Sequence, residues 1–288
     1  MKILGSNFWA IVFLLTLNIP KILSAQTDST TIDYGNNKNS GNFISINDVK
    51  LYYEIYGSGA PLVLIHGNGG NIGYMQPQIE YFSKNYKVIV MDCRGRGKSE
   101  LGKDSLTYIQ MTKDIVGLLD YLRLDSTYIV GRSDGGIIAL LVAIYYPSKV
   151  KKVVAFAANL TPDTTALYPF FYNQVLEDRR LADEMIAKKD TTKNWKVIQQ
   201  RNRLMEFQPQ ISNSDLKKIT CPVLVASTDR DIIKEEHTLF IYRNIQKANL
   251  CFFTGETHYI TKNNPALFNT VIAEFLSEPY AGNELREE

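Results

Sequence analysis

The 288-residue chain is poor in cysteine and in histidine, with three of each. Cys93, Cys221 and Cys251 each sit in or beside an apolar run. An odd, sparse count excludes a disulfide framework and reads as buried free thiols. No cluster of residues has metal-ligand spacing, and Arg94-Gly95-Arg96-Gly97 is too short and wrongly placed for a dinucleotide loop. No metal and no cofactor are therefore expected. Internal repeats and low-complexity tracts are also missing. Net charge is small, at +2, and no basic cluster stands out; this gives no footing for nucleic acid as a partner.

Long apolar runs are scarce too. One lies at the start, Phe8 to Leu17, behind the basic Lys2. Asn7, Asn18 and Pro20 interrupt it, so it falls short of the ~20 residues of a spanning helix. Ser24-Ala25-Gln26 offers a small-residue cleavage point, which makes residues 1–25 a signal peptide pattern and predicts an exported, periplasmic or secreted protein with no stable membrane span. The alternative is an uncleaved N-terminal anchor. No cysteine near the cleavage point supports a lipid anchor. Cleavage would remove Lys2 and Lys21 and no acid, taking the formal charge from +2 to 0.

What is present is a large apolar content, 45% hydrophobic, enough for one large domain or one domain with an insertion. Residues 26–40 are polar and turn-rich, a flexible lead-in; residues 280–288 form a polar tail. Between them, strand-like and helix-like segments alternate. Strands are expected at 43–46, 51–56, 61–66, 86–92, 127–130, 150–157, 222–226 and 249–253. Helices are expected at 75–85, 106–122, 134–146, 235–245 and 266–276. Such alternation makes an α/β fold, a mostly parallel sheet covered on both faces. Residues 160–217 break the rhythm: they are charged, helix-favouring and strand-free, and predict a helical lid.

Gly131-Arg132-Ser133-Asp134-Gly135 lies where a strand ends and a helix begins. A serine on such a bend is held up at the carboxyl edge of the sheet, and small residues two positions away on each side relieve the crowding. A serine hydroxyl needs a base. His258 lies on a loop past the last strand, on the same sheet edge, and is assigned that role. His66 and His237 are given structural ones, His237 on a helix facing solvent or a packing edge. The orienting acid belongs on the loop after Pro222–Ala226, where Asp231 is preferred and Asp229 is the alternative, otherwise a turn residue. Oxyanion donors are expected at the backbone N–H of Asp134, at a helix N-terminus, and of Asn68, in the glycine-rich loop after PLVLIH. The Asp134 side chain either binds a cationic substrate group beside the serine or caps its own helix.

Taken together, HGNGG at 66–70, DCRGRGKS at 92–99, GRSDGG at 131–136, STDRD at 227–231 and GETH at 255–258 resemble the α/β-hydrolase fold family, over roughly residues 43–277. The resemblance implies eight strands, a cap after the sixth, and a structural turn built on Asp92, Arg94, Gly95 and Gly97. Serine at the elbow disfavours the carboxylate attack of dehalogenases and epoxide hydrolases. The Ser-Asp-Gly-Gly form is similar to valacyclovir hydrolase-like esterases and other small carboxylesterases. This makes a small-molecule ester the expected substrate, with Ser133 as nucleophile, His258 as base and Asp231 as acid, and with Asn68 and Asp134 binding substrate. C–C bond hydrolysis, amide hydrolysis or haloperoxidase- and perhydrolase-type chemistry on the same triad are alternatives, as is a non-catalytic ligand receptor. Arg132, before the serine, is unusual; a carboxylate under the turn is its expected partner.

Overall fold

The computed structural model describes residues 32–282; the signal peptide pattern and the end of the polar tail lie outside them. In chain order the elements are β1 (Gly41–Ile46), β2 (Val49–Tyr56), β3 (Ala60–Ile65), a short 3-10 turn and α1 (Gln76–Phe82), β4 (Tyr86–Met91), α2 (Tyr108–Tyr121), β5 (Thr127–Arg132), α3 (Asp134–Tyr145) and β6 (Val150–Phe156). Three helices follow, α4 (Pro169–Ala187), α5 (Trp195–Phe207) and α6 (Asn213–Leu216). The chain closes with β7 (Val223–Arg230), α7 (Glu235–Asn244), β8 (Ala248–Thr257), α8 (Ile260–Asn263) and α9 (Pro265–Ser277).

The eight strands form one sheet in the order β1-β2-β4-β3-β5-β6-β7-β8. β1 and β2 are antiparallel, β2 pairs antiparallel with β4, and all later pairs are parallel. Side chains alternate across a strand, so each buried strand feeds two cores. Leu62, Leu64, Val88, Val90, Val130 and Val154 pack on one face with Ile79, Phe82, Phe268 and Ile272 of α1 and α9. Val63, Ile65, Ile89, Ile129, Val153 and Val225 pack on the other with residues of α2, α3 and α7. Helix α3 is buried from Asp134 to Ile144, as an all-apolar helix must be. Thr107 and Gln110 form a capping box that starts α2.

Two strands run past their expected ends. β7 continues to Arg230 and β8 to Thr257, because Ser227 and Thr228 are fully buried in spite of being polar. His237 is buried rather than solvent-facing, and its Nε2 accepts the Leu160 N–H at 2.9 Å. His66 is buried as well: Nε2 accepts the Cys93 N–H at 3.1 Å, and Nδ1 lies 2.8 Å from the Gly67 carbonyl. Asp92 accepts the N–H groups of Ile72 and Lys98, at 2.8 and 2.9 Å, which ties the 92–99 turn to the loop after β3. No helix among the described residues is long and apolar enough to cross a membrane.

Candidate active site

Parallel strands deliver their carboxyl ends to one edge, the usual place for ligands in such sheets. β3, β5, β7 and β8 end there in His66, Ser133, Asp231 and His258. Ser133 has φ 55° and ψ −120°, a conformation that costs an L-residue on the order of 1–3 kcal/mol. Three backbone bonds hold it: its N–H donates to the Phe156 carbonyl at 2.8 Å, and its carbonyl accepts from Gly136 and Ile137 at 2.7 and 3.1 Å. The flanking glycines are sterically required. A Cβ on Gly131 would collide with the Gly135 carbonyl, and one on Gly135 with the Ile65 and His66 carbonyls. Gly135→Ala must therefore push α3 off β3. A stability loss of about 3 kcal/mol is expected, seen as a Tm fall of roughly 10 °C; an unchanged Tm would contradict this account of the bend.

Asp231 and His258 meet on the loops after β7 and β8, which pair side by side. His258 Nδ1 lies 2.7 Å from Asp231 Oδ1, with both residues buried. Oδ1 also accepts the N–H groups of Ile232 and Ile233, and Oδ2 accepts the hydroxyls of Ser227 and Thr228. Burial opposes ionisation of Asp231, but the His258 ring and these amides outweigh it and hold its pKa below the ordinary carboxylate value. Asp229, the sequence alternative, is exposed and accepts the Gly255 N–H through both oxygens at 2.8 Å.

Among the described residues Arg132 pairs with no carboxylate, against the expectation of an acidic partner. Its Nη2 donates to the His258 carbonyl at 2.9 Å, and its guanidinium lies 5.3 Å from the centre of the Tyr259 ring. The residue before Ser133 thus grips the loop that carries His258.

Asn68 and Asp134 come together, in a manner the sequence did not suggest. The buried Asp134 carboxylate accepts Tyr108 Oη at 2.9 Å and Asn68 Nδ2 at 3.0 Å, and pairs with Arg96 Nη2 at 3.3 Å. No amide of α3 is among these donors, so the carboxylate does not cap its helix. The helix-cap reading is therefore corrected, and a cationic substrate group would have to share this carboxylate with Arg96. Burial and the Asp134 charge push the Tyr108 phenol well above its ordinary pKa, keeping it a donor. The Asn68 side chain is equally engaged: Oδ1 accepts Arg201 Nε at 3.0 Å while Nδ2 serves Asp134. What both residues keep free is backbone. Among the described residues, neither the Asn68 nor the Asp134 N–H has an acceptor.

Arg201, on α5, is a site residue that sequence reasoning missed. α5 also reaches the site's rim through Gln200, whose Oε1 accepts the Leu106 N–H, and Gln208 beyond its end accepts that of Tyr108. The aromatics of this region divide. Trp195 is buried and bonds Asp190, Tyr168 bonds Glu235, Phe171 and Tyr172 join the sheet core, and Phe170 and Phe207 are exposed.

The chain matches the alpha/beta hydrolase fold family over residues 60–272. It is 27% identical over 259 residues to the putative carbamate hydrolase RutD of Caulobacter sp. (strain K31), covering 79% of this chain and 96% of that one. Serine hydrolase BPHL of Homo sapiens is 26% identical over 249 residues, 81% of this chain and 85% of that one. Among solved structures, the enol-lactonase from Burkholderia xenovorans LB400 superposes with a TM-score of 0.70 at 20% identity, over 82% of this chain and all of that one; at this identity the likeness is one of fold. With its eight-stranded sheet, its serine on the bend after β5 and a family match across most of its length, this chain belongs to the α/β-hydrolase fold family of enzymes.

Proposed function

We propose that the protein is a serine hydrolase that cleaves carboxylic esters through an acyl-enzyme. The observation that carries this reading is the buried 2.7 Å contact of His258 Nδ1 with an ionised Asp231, on the sheet edge that also presents the strained Ser133. A histidine so held keeps its proton on Nδ1 and turns a basic Nε2 outward. In the proposed cycle Ser133 Oγ attacks the ester carbonyl carbon as His258 takes its proton. The tetrahedral oxyanion receives the free N–H groups of Asn68 and Asp134. Collapse expels the alcohol, which leaves with the proton from His258. Water, deprotonated by the same imidazole, then attacks the acyl-enzyme and releases the acid. Asp231 keeps the tautomer and stabilises the imidazolium. The relatives are named a putative carbamate hydrolase and a serine hydrolase, which supports hydrolysis as the reaction type.

The test is labelling of the purified protein by a fluorophosphonate, beside Ser133→Ala, followed by a panel of esters, amides and 1,3-diketones. Labelling of the wild type alone, with esters turned over fastest, is the expected result. Folded wild type that resists the probe would overturn the reading in favour of a ligand receptor. Faster turnover of amides or diketones would move the reaction to C–N or C–C cleavage on the same serine.

A further inference from the structure

The charges around the elbow do not balance. Three guanidiniums, those of Arg96, Arg132 and Arg201, stand at the elbow or the 67–70 loop facing it, against the carboxylates of Asp134 and Asp231. Asp134 pairs with Arg96, and Asp231 faces His258. Arg132 is buried and spent on the His258 carbonyl and the Tyr259 ring. Arg201 differs from both. Only its Nε is committed, to Asn68; among the described residues its Nη1 and Nη2 have no acceptor, and neither is sealed from solvent. With a neutral imidazole, the site therefore carries one uncompensated positive charge, and the guanidinium with N–H donors to spare is that of Arg201.

Its position is fixed by the loop. A Cβ at Gly67 would lie 3.0 Å from Ser133 Cβ, and a Cβ at Gly69 would fall inside the contact distance of Arg201 Nη2. Two residues of chain reach at most about 7 Å, so the free end of Arg201 lies within roughly 15 Å of the serine side chain. Burial is the first influence that lowers the Arg201 pKa, with the Arg96 charge next. Guanidinium forks are suited to carboxylates, which they bind through two parallel N–H donors.

We propose that Arg201 receives a free carboxylate on the substrate, and that the preferred esters are half-esters of short dicarboxylic acids. This rests on the serine hydrolase reading above. The acid group is held by the cap helix α5, while the ester carbonyl, three or four carbons away, meets Ser133. The substrate charge recognised here is negative and is received by Arg201, separately from the cationic group that was one of the two alternatives for Asp134.

Monoethyl glutarate and ethyl valerate, nearly equal in length, separate the two cases when acid release is followed by titration. The wild type is expected to favour the glutarate ester at least tenfold in kcat/KM, with the ratio shrinking as salt rises from about 0.01 M to about 0.5 M. In Arg201→Gln the ratio should fall to about 1. Arg201 also steadies Asn68, but that effect acts on both esters and cancels in the ratio. Arg201→Lys, which keeps the charge and loses the Nε bond, should slow both esters and retain most of the preference. A wild-type ratio near 1, or a ratio that survives in Arg201→Gln, would overturn the proposal. Glutarate as a competitor supplies a second readout: it should protect the wild-type serine from a fluorophosphonate and fail to protect Arg201→Gln. If neither ester is cleaved, the ester reading fails by itself, and glutarate protection alone decides for or against the Arg201 seat.

Discussion

Asparagine in place of Asp231 is expected to lower kcat by roughly 10³- to 10⁴-fold with little change in Tm. The environment explains both halves. Oδ1 of an asparagine still accepts the N–H groups of Ile232 and Ile233, and its amide can turn to the Ser227 and Thr228 hydroxyls, which accept as readily as they donate. The packing therefore survives. What disappears is the negative charge 2.7 Å from His258 Nδ1, which stabilises the imidazolium in the transition state. Asp229→Asn is the control, because that carboxylate only ties the exposed Gly255 N–H. Its kcat should change by less than about threefold. A large loss in Asp229→Asn with a small one in Asp231→Asn would reverse the assignment of the acid.

Acid should destabilise the fold well before the carboxylates titrate. Burial lowers the pKa of His66 to about 4, helped by the charges of Arg96, Arg132 and Arg201 against the Gly67 carbonyl. Burial alone lowers that of His237 to about 4. Unfolded histidine titrates near 6.5, so between about pH 6.5 and 4 the unfolded chain binds protons that the native one refuses. The stabilisation is complete above pH 6.5 and is lost as the pH falls through that window. Each histidine should cost about 2 kcal/mol between pH 7 and pH 5, together about 4 kcal/mol. The depressed pKa of Asp231 acts in the same direction, but below the ordinary carboxylate range. Denaturant titrations at the two pH values measure the loss. His237→Gln, whose amide oxygen can take over the Leu160 N–H, should halve it. Equal stability at pH 7 and pH 5 would contradict the burial of neutral imidazoles.

How much of this was legible in the sequence follows from the range of the interactions. The elbow was, because its constraint is local: a serine at positive φ and two glycines whose neighbours are backbone atoms within a few residues. The placing of His258 beside Asp231 was as well, because the other two histidines fall on a strand-end loop and a helix. The full lengths of β7 and β8 were hidden, since Ser227 and Thr228 read as loop residues until their hydroxyls are seen on Asp231. The partners of the Asp134 side chain were hidden because Tyr108 and Arg96 stand 26 and 38 positions away. Arg132 was opaque for the same reason, with its acceptor 126 positions away. Arg201 meets Asn68 across 133 positions. It lies among five other Arg and Lys residues between 188 and 203, and nothing in the local pattern marks it out.

Ser133, Asp231 and His258, the proposed nucleophile, acid and base, are all carried by the sheet, whose strand spacing changes little from one protein to the next. The helices between β6 and β7 could in principle be exchanged for others, as one changes the jaws of a tool and keeps the handle. The contact of Arg201 with Asn68 sets a condition on that exchange. The loop proposed to offer an N–H to the oxyanion is braced by one guanidinium from α5, so a set of helices transplanted onto this sheet must bring its own donor to the same place. Modularity here ends at a single side chain, and selection for new substrates through the cap is bound to retain that brace or to rebuild the loop with it.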